Sequence, residues 1–116
     1  MSRFILSRQK LFGLLELDPA GTVLYSRIET EGDSDGSPSD VTGHNFYSEV
    51  ASFLNVEEFH HRIDTFDRSS EHANSFVFNC DYEDGAVPVR VLLARIREHT
   101  NGDHTQSLLV HIKKAD

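Results

Sequence analysis

The stretch that most restricts the fold of this chain spans residues 41–66, because it carries two short apolar stripes at helical spacing. The stripes consist of Phe46, Val50, Phe53 and Leu54, followed by Val56, Phe59, Ile63 and Phe66. This spacing predicts two short amphipathic helices. Asn55 precedes the second stripe and Glu58 lies three residues later, which predicts that Asn55 caps the second helix. Helices this short are only marginally stable alone in water, so both must pack against another element.

Residues 12–27, which precede this stretch, predict a β-hairpin. Two apolar runs flank Asp18-Pro19-Ala20-Gly21, where proline and glycine suit a tight turn. Alternation then places Leu15, Leu17, Val23 and Tyr25 on the same side of the hairpin. Residues 28–43 are rich in Asp, Glu, Gly and Ser, which indicates a solvated loop.

Three further strands are predicted after the helical stretch. Residues 75–82 alternate aromatic with polar side chains, and residues 87–98 and 106–114 also alternate. Asn101-Gly102 is a strong hairpin signal between the last two strands, because both residues tolerate positive φ. Two strands, short helices and three strands predict an α+β fold, namely a five-stranded antiparallel sheet with the helices packed on one face.

The composition fits a soluble protein with one domain. A chain of 116 residues can bury one core, and no apolar run approaches the ~20 residues of a membrane span. The formal net charge of −8 opposes a nucleic-acid partner. A lone cysteine and the lack of a secretion signal predict a cytoplasmic protein. We expect one domain over residues 12–116, preceded by an arm or short helix at residues 1–11.

The order of these elements resembles that of the PAS sensor fold. The amino-acid sequences of several segments are similar to those of the photoactive yellow protein family. The similar segments are GHNFYSEVA at residues 43–51, Glu58-Phe59, the alternating aromatic strand at residues 76–82, and VHIKK at residues 110–114. The resemblance runs from about Phe12 to Lys114. It implies a PAS-type module for sensing, signal transduction or protein interaction.

The chromophore of that family is not implied for this chain, because the matching positions differ. In the family, a cysteine at the end of the first helix holds a hydroxycinnamoyl group as a thioester, and a tyrosine and a glutamate bind its phenolate. The matching positions here are Phe53, Ser26 and Thr30. We therefore expect a PAS domain without the covalent chromophore. Cys80 shares a strand face with aromatic residues, which predicts a small apolar core residue rather than a substitute anchor.

The space between helices and sheet is predicted to be either a packed core or a pocket for a small apolar ligand. The residues expected to line it are Phe46, Val50, Phe53, Phe59, Ile63, Phe78, Cys80, Val91 and Leu93. Phe53, in place of the smaller cysteine, favours a filled core. This interpretation requires no cofactor.

A haem- or flavin-binding sensor is the alternative interpretation. Some PAS domains hold haem through a histidine on the second helix, and His60 lies at the flank of the second stripe whereas His61 points away from it. Because His60 and His61 are adjacent, they diverge around the helix, and the sequence predicts no metal site. No arrangement of nucleophile and base indicates catalysis, so we expect no enzymatic activity.

The opposite face of the sheet is predicted to bind a partner. Leu92, Ala94, Ile96 and Leu109 would form an apolar patch there, and such a patch on a lone domain indicates an interaction surface. A second copy of the chain is the simplest occupant, although Phe4, Ile5 and Leu6 could also cover the patch. We expect a homodimer, and an output through a signalling protein that acts in trans.

Overall fold

The computed structural model of the protein describes residues 11–29, 41–51, 53–83, 85–100 and 103–115. Five strands are present, namely β1 (Phe12–Leu17), β2 (Val23–Glu29), β3 (Ala73–Tyr82), β4 (Gly85–Thr100) and β5 (Asp103–Lys114). A π-helical turn (Phe46–Val50) and one α-helix, α1 (Val56–Arg68), lie between β2 and β3. Residues 1–10 of the predicted arm, residues 30–40 of the predicted loop and the turn residues Asn101-Gly102 lie outside the described residues.

The five strands form one antiparallel sheet in the order β2-β1-β5-β4-β3. The first and last strands of the chain meet in the middle, because β1 pairs with β5. The β4–β5 register continues to the pair Thr100 and Asp103, as the predicted hairpin requires. The predicted α+β fold, a five-stranded antiparallel sheet with helical segments on one face, is therefore confirmed.

The core lies between the sheet and the helical segments. Strand alternation sends every second side chain to the inner face of the sheet, where α1 and the π-helical turn cover it. The buried strand residues on this face include Leu15, Leu17, Val23, Phe78, Cys80, Tyr82, Val89, Val91, Leu93, Leu108, Val110 and Ile112. The residues that cover them are Phe46, Val50, Phe53, Val56, Phe59, Ile63 and Phe66. Apart from Leu54, the residues of both predicted stripes thus face the sheet.

The predicted side of Tyr25 is wrong. Leu17 pairs with Val23, but Glu16 pairs with Tyr25, so the register of the hairpin shifts by one residue between these pairs. A shift of one residue sends the following side chains to the other face of the sheet. Tyr25 is consequently 47% exposed, whereas Val23 is buried.

The first predicted helix is shorter than its stripe. It consists of five residues in a π-helical turn, which closes where the Ala51 N–H donates to the Phe46 carbonyl at 2.8 Å. The Asn45 side chain caps the turn by accepting from the N–H groups of Tyr47 and Ser48. Leu54 lies beyond the turn and is 64% exposed, so its place in the apolar stripe was predicted wrongly.

The predicted capping bond of Asn55 is also wrong. Asn55 is the residue before α1, yet its side chain makes no hydrogen bond to that helix. Its Nδ2 donates to the Asn79 carbonyl at 2.8 Å, and its Oδ1 accepts from the Asp81 N–H at 2.9 Å. The edge of β3 passes beside the start of α1 and offers both a donor and an acceptor, so the amide binds the strand instead.

Candidate functional site

Phe53 is completely buried at the centre of an aromatic cluster. Its ring centre lies 5.4 Å from that of Phe59, 6.1 Å from that of Tyr82 and 6.3 Å from that of Phe78. All three pairs meet edge to face, the geometry that aromatic side chains prefer in protein interiors. The position after the π-helical turn is therefore occupied by a ring that three other rings hold in place.

The nine residues predicted to line a pocket all belong to one buried cluster. They are Phe46, Val50, Phe53, Phe59, Ile63, Phe78, Cys80, Val91 and Leu93, each at most 8% exposed. Of the clefts that adjoin the cluster, two each contact one of the nine, Ile63 or Phe78. The structure brings the predicted residues together as packed neighbours. Their role in binding a ligand stays a prediction.

Ser26 lies on the inner side of the β1–β2 hairpin, where it pairs with the buried residue Leu15. Its hydroxyl accepts a hydrogen bond from the Val41 N–H at 3.2 Å. This bond ties the end of the loop that follows β2 back to the strand. Thr30, the other predicted counterpart of a phenolate-binding residue, lies outside the described residues.

Cys80 is fully buried on the inner face of β3, as predicted for a core residue. Burial raises the pKa of its thiol from 9.0 to about 12, and the nearby Asp81 carboxylate acts in the same direction. The thiolate is the nucleophilic form of cysteine, so this environment keeps Cys80 unreactive at neutral pH.

A cleft of about 330 Å³ opens beside the β1–β2 turn. We call it the Tyr47 cleft. Its walls are formed by Leu17, Asp18, Pro19, Tyr47, His60, Ile63, Asp64, Asp67, Ser107 and Leu108. Burial, together with the Asp64 and Asp67 carboxylates, raises the pKa of the Tyr47 hydroxyl far above its usual range. Tyr47 is therefore a neutral phenol in this cleft.

His60, the residue predicted for haem ligation, lies at the Tyr47 cleft rather than over the aromatic cluster. Its ring stacks on the Tyr47 ring with a centre-to-centre distance of 3.8 Å and an angle of 9° between the planes. His60 thus packs on the π-helical turn from α1. Its role as a haem ligand stays a prediction. Among the described residues, no three His, Cys, Asp or Glu side chains come together as metal ligands.

The predicted interaction patch lies on the outer face of β4 and β5. Leu92 is 38% exposed, and Ala94, Ile96 and Leu109 are half-buried. The register places Ala94 directly opposite Leu109, with Leu92 and Ile96 two residues away on either side. The four side chains therefore form one continuous surface, which we call the outer patch.

Arg95 is a buried residue that the sequence interpretation missed. Its side chain is 5% exposed and reaches from β4 to the last turn of α1 and the connector beyond it. Nη2 donates to the carbonyls of Phe66 and Ser69, each at 3.0 Å. The sequence indicates that Arg95 faces inward, because the alternation of β4 places it on the same side of the strand as Val91 and Leu93.

No helix in the described part of the chain is long and apolar enough to cross a membrane. No family model matches the chain. Three curated relatives are similar to it, and all three are named photoactive yellow protein. Identity is 31% over 83 residues with the protein of Halochromatium salexigens, 33% over 85 with that of Rhodothalassium salexigens, and 32% over 81 with that of Cereibacter sphaeroides.

These matches cover 72%, 72% and 69% of this chain and 66%, 67% and 64% of the relatives. The chain thus spans about two thirds of the length of the relatives it matches. The sheet order and the helical segment described above agree with this relationship. The chain belongs to the photoactive yellow protein family and has its PAS fold.

Proposed function

We propose that this protein is a PAS-type module that works without a covalent hydroxycinnamoyl chromophore and signals through a change in its association with other proteins. Its family membership supports a sensory role, because the relatives are photoactive yellow proteins. The observation that carries the proposal is Phe53, a buried aromatic ring where the resemblance implies a cysteine.

A thioester requires a sulfur nucleophile, and the phenyl ring of Phe53 provides none. The ring also occupies the space itself, because it packs edge to face against Phe59, Phe78 and Tyr82. Neither of the two clefts described above reaches Phe53. Cys80, the lone cysteine, has a raised pKa and a fully buried side chain, so it does not replace the missing anchor. These contacts support a core filled by its own side chains.

The phenolate-binding positions support the same proposal. Ser26 has a short side chain, and its hydroxyl already accepts a bond from the Val41 N–H. A buried phenolate is stable only where several donors satisfy its charge. A serine hydroxyl has only one O–H donor, so Ser26 alone satisfies such a charge poorly.

The proposed output surface is the outer patch. Apolar side chains that lie side by side on a sheet face lose contact with water when a partner covers them, which favours association. The occupant is a second copy of the chain or a signalling protein that acts in trans. Replacing Ile96 with Glu would place a charge at the edge of the patch and weaken the complex.

The test is a loading experiment with an activated hydroxycinnamic acid on the natural chain and on Phe53→Cys. We expect no mass increase for the natural chain. We expect Phe53→Cys to accept the acyl group at most as an unshifted, photochemically silent adduct, because Ser26 does not bind the phenolate. A yellow protein with a photocycle, from either chain, would contradict the proposal.

A haem- or flavin-binding sensor is the alternative function. The absorption spectrum of the purified protein distinguishes it from the proposed pigment-free module. His60 would be the haem ligand in that case. A Soret or flavin band in protein purified from its own host, lost in His60→Ala for haem, would replace the pigment-free proposal.

A further inference from the structure

The two edges of the sheet are covered to different extents. On the β2 edge, the Val23 N–H donates to the His44 carbonyl at 2.9 Å, and the Gly43 N–H donates to the Val23 carbonyl at 2.8 Å. The exposed residue Arg27 adds a charge to this strand. Pairing and charge both discourage the addition of another strand.

Among the described residues, those that bond to the β3 edge do so near its end. The Asn55 side chain bonds to the Asn79 carbonyl and the Asp81 N–H, and the Leu54 N–H donates to the Asp81 carbonyl at 2.6 Å. These bonds occupy the edge from residue 79 to residue 81. They also establish that odd-numbered residues of β3 direct their N–H and C=O groups away from β4.

Residues 73–78 continue the same edge, and we call them the open edge. Because every second residue of a strand repeats the same orientation, Ser75 and Val77 direct their backbone groups outward as Asn79 and Asp81 do. Within the part of the chain that the structure describes, no hydrogen bond reaches these outward groups. The open edge contains no charged residue and no proline, and Val77 is 53% exposed. Unpaired backbone groups on an uncharged edge are a template for another strand.

We propose that the open edge pairs antiparallel with the open edge of a second copy of this chain, so that two five-stranded sheets become one continuous sheet. Two identical strands related by a two-fold axis offer each outward N–H a carbonyl of the partner. Side chains without charge avoid repulsion at the contact, although each chain has a formal net charge of −8. A second copy therefore satisfies the hydrogen bonds of this edge, and the edge itself adds no like charges to the contact.

The covered end of β3 determines the register. Ser75 lies opposite Ser75 of the second copy, and Ala73 lies opposite Val77. This register uses each outward-facing residue of the open edge and stops before Asn79, whose carbonyl is already bound by Asn55. The inference goes beyond the proposed function, because it needs neither a ligand nor the outer patch. It leaves the outer patch to a different protein.

The test measures the mass of the full chain by light scattering and sedimentation from micromolar to near-millimolar concentration. We expect the natural chain to approach twice its mass of 13.1 kDa. Val77→Pro removes an outward N–H without touching the bonds to β4 and is expected to weaken the dimer by at least about tenfold. Val77→Ala keeps the N–H and serves as its matched control.

Charge provides a second test that does not depend on proline. Ser75→Lys places two like charges opposite each other at the two-fold axis, so we expect weaker pairing that salt partly restores. Mixing Ser75→Lys with Ser75→Glu should restore pairing, as a mixed dimer. Asn79→Lys, on the same face of the same strand, is expected to leave the dimer intact because it lies beyond the open edge.

The outcomes separate this proposal from the outer patch. Loss of the dimer in Val77→Pro and Ser75→Lys, with recovery in the mixed sample, supports pairing at the open edge. A natural chain that stays monomeric at every concentration overturns it. A dimer that survives Val77→Pro and Ser75→Lys but dissociates in Ile96→Glu also overturns it, and places the second copy at the outer patch instead.

Discussion

Arg95 holds the end of α1 through Phe66. Its Nη2 donates to the Phe66 carbonyl at 3.0 Å, and its guanidinium group lies 5.1 Å from the centre of the Phe66 ring. The same side chain also donates to the carbonyls of Asp67, Ser69 and Glu71. The last carbonyls of a helix have no partner within the helix, so one buried arginine satisfies several of them and ties α1 to the sheet.

Replacing Arg95 with Met should lower the free energy of unfolding by about 2–4 kcal/mol, because the partly buried carbonyls of Phe66 and Ser69 lose a charged donor. Arg90→Met is the matched control, since Arg90 lies on the same strand but is exposed on the outer face. Urea unfolding compares the two variants. Equal losses would contradict the role assigned to Arg95.

Gly21→Ala should destabilise the protein more than Gly43→Ala. Both glycines have positive φ, +91° and +89°, so both substitutions introduce backbone strain. A Cβ atom on Gly21 would also lie 2.7 Å from Cε2 of Tyr47, whereas no atom lies within 4 Å of a Cβ on Gly43. We expect Gly21→Ala to cost about 1 kcal/mol more in thermal unfolding. A larger loss for Gly43→Ala would mean that Tyr47 moves aside freely.

Asn55→Ser distinguishes the observed role of Asn55 from the predicted one. Serine is a good helix cap but is too short to bond both the Asn79 carbonyl and the Asp81 N–H. We therefore expect Asn55→Ser and Asn55→Ala to lose similar stability, about 1–2 kcal/mol each. If serine restored the stability of the natural chain, helix capping would be the main contribution of this residue.

Stability should fall as the pH rises from 9 to 12, and Cys80 should account for part of that fall. The pKa of Cys80 is raised from 9.0 to about 12 in the folded protein, so the unfolded chain releases this proton first. The stabilisation is complete below pH 9 and is lost as the pH passes through the folded pKa. The raised pKa of Tyr47 acts in the same direction. Cys80→Ala should show a shallower decline in unfolding free energy over this range, and an unchanged decline would contradict the burial effect.

Much of the fold could be predicted from alternation and spacing. The strand patterns predicted the sheet, and the stripe from Val56 to Phe66 predicted the buried face of α1. The exposed side of Tyr25 could not be predicted, because a register shift depends on how two strands pair rather than on the pattern of one strand. Asn55 has the right position for a cap, yet a neighbouring strand edge competes for its amide.

The site was predicted less completely than the fold. Buried positions such as Phe53 and Cys80 follow from apolar patterns, and both are buried. The Tyr47 cleft could not be predicted because it joins the β1–β2 turn, the π-helical turn, α1 and the middle of β5. The alternation of β4 indicates an inward position for Arg95, but its contacts could not be predicted because its carbonyl partners lie in α1 and in the connector beyond it. Sequence patterns report burial, whereas clefts and polar contacts depend on how elements from distant segments meet.

The most direct test of the central claim is the near-ultraviolet and visible absorption spectrum of protein purified from its own host, followed by mass spectrometry of the intact chain and of any molecule that denaturation releases. We expect a colourless protein with the mass of its sequence and no released chromophore. A visible band together with a hydroxycinnamoyl mass increase on the chain would contradict it.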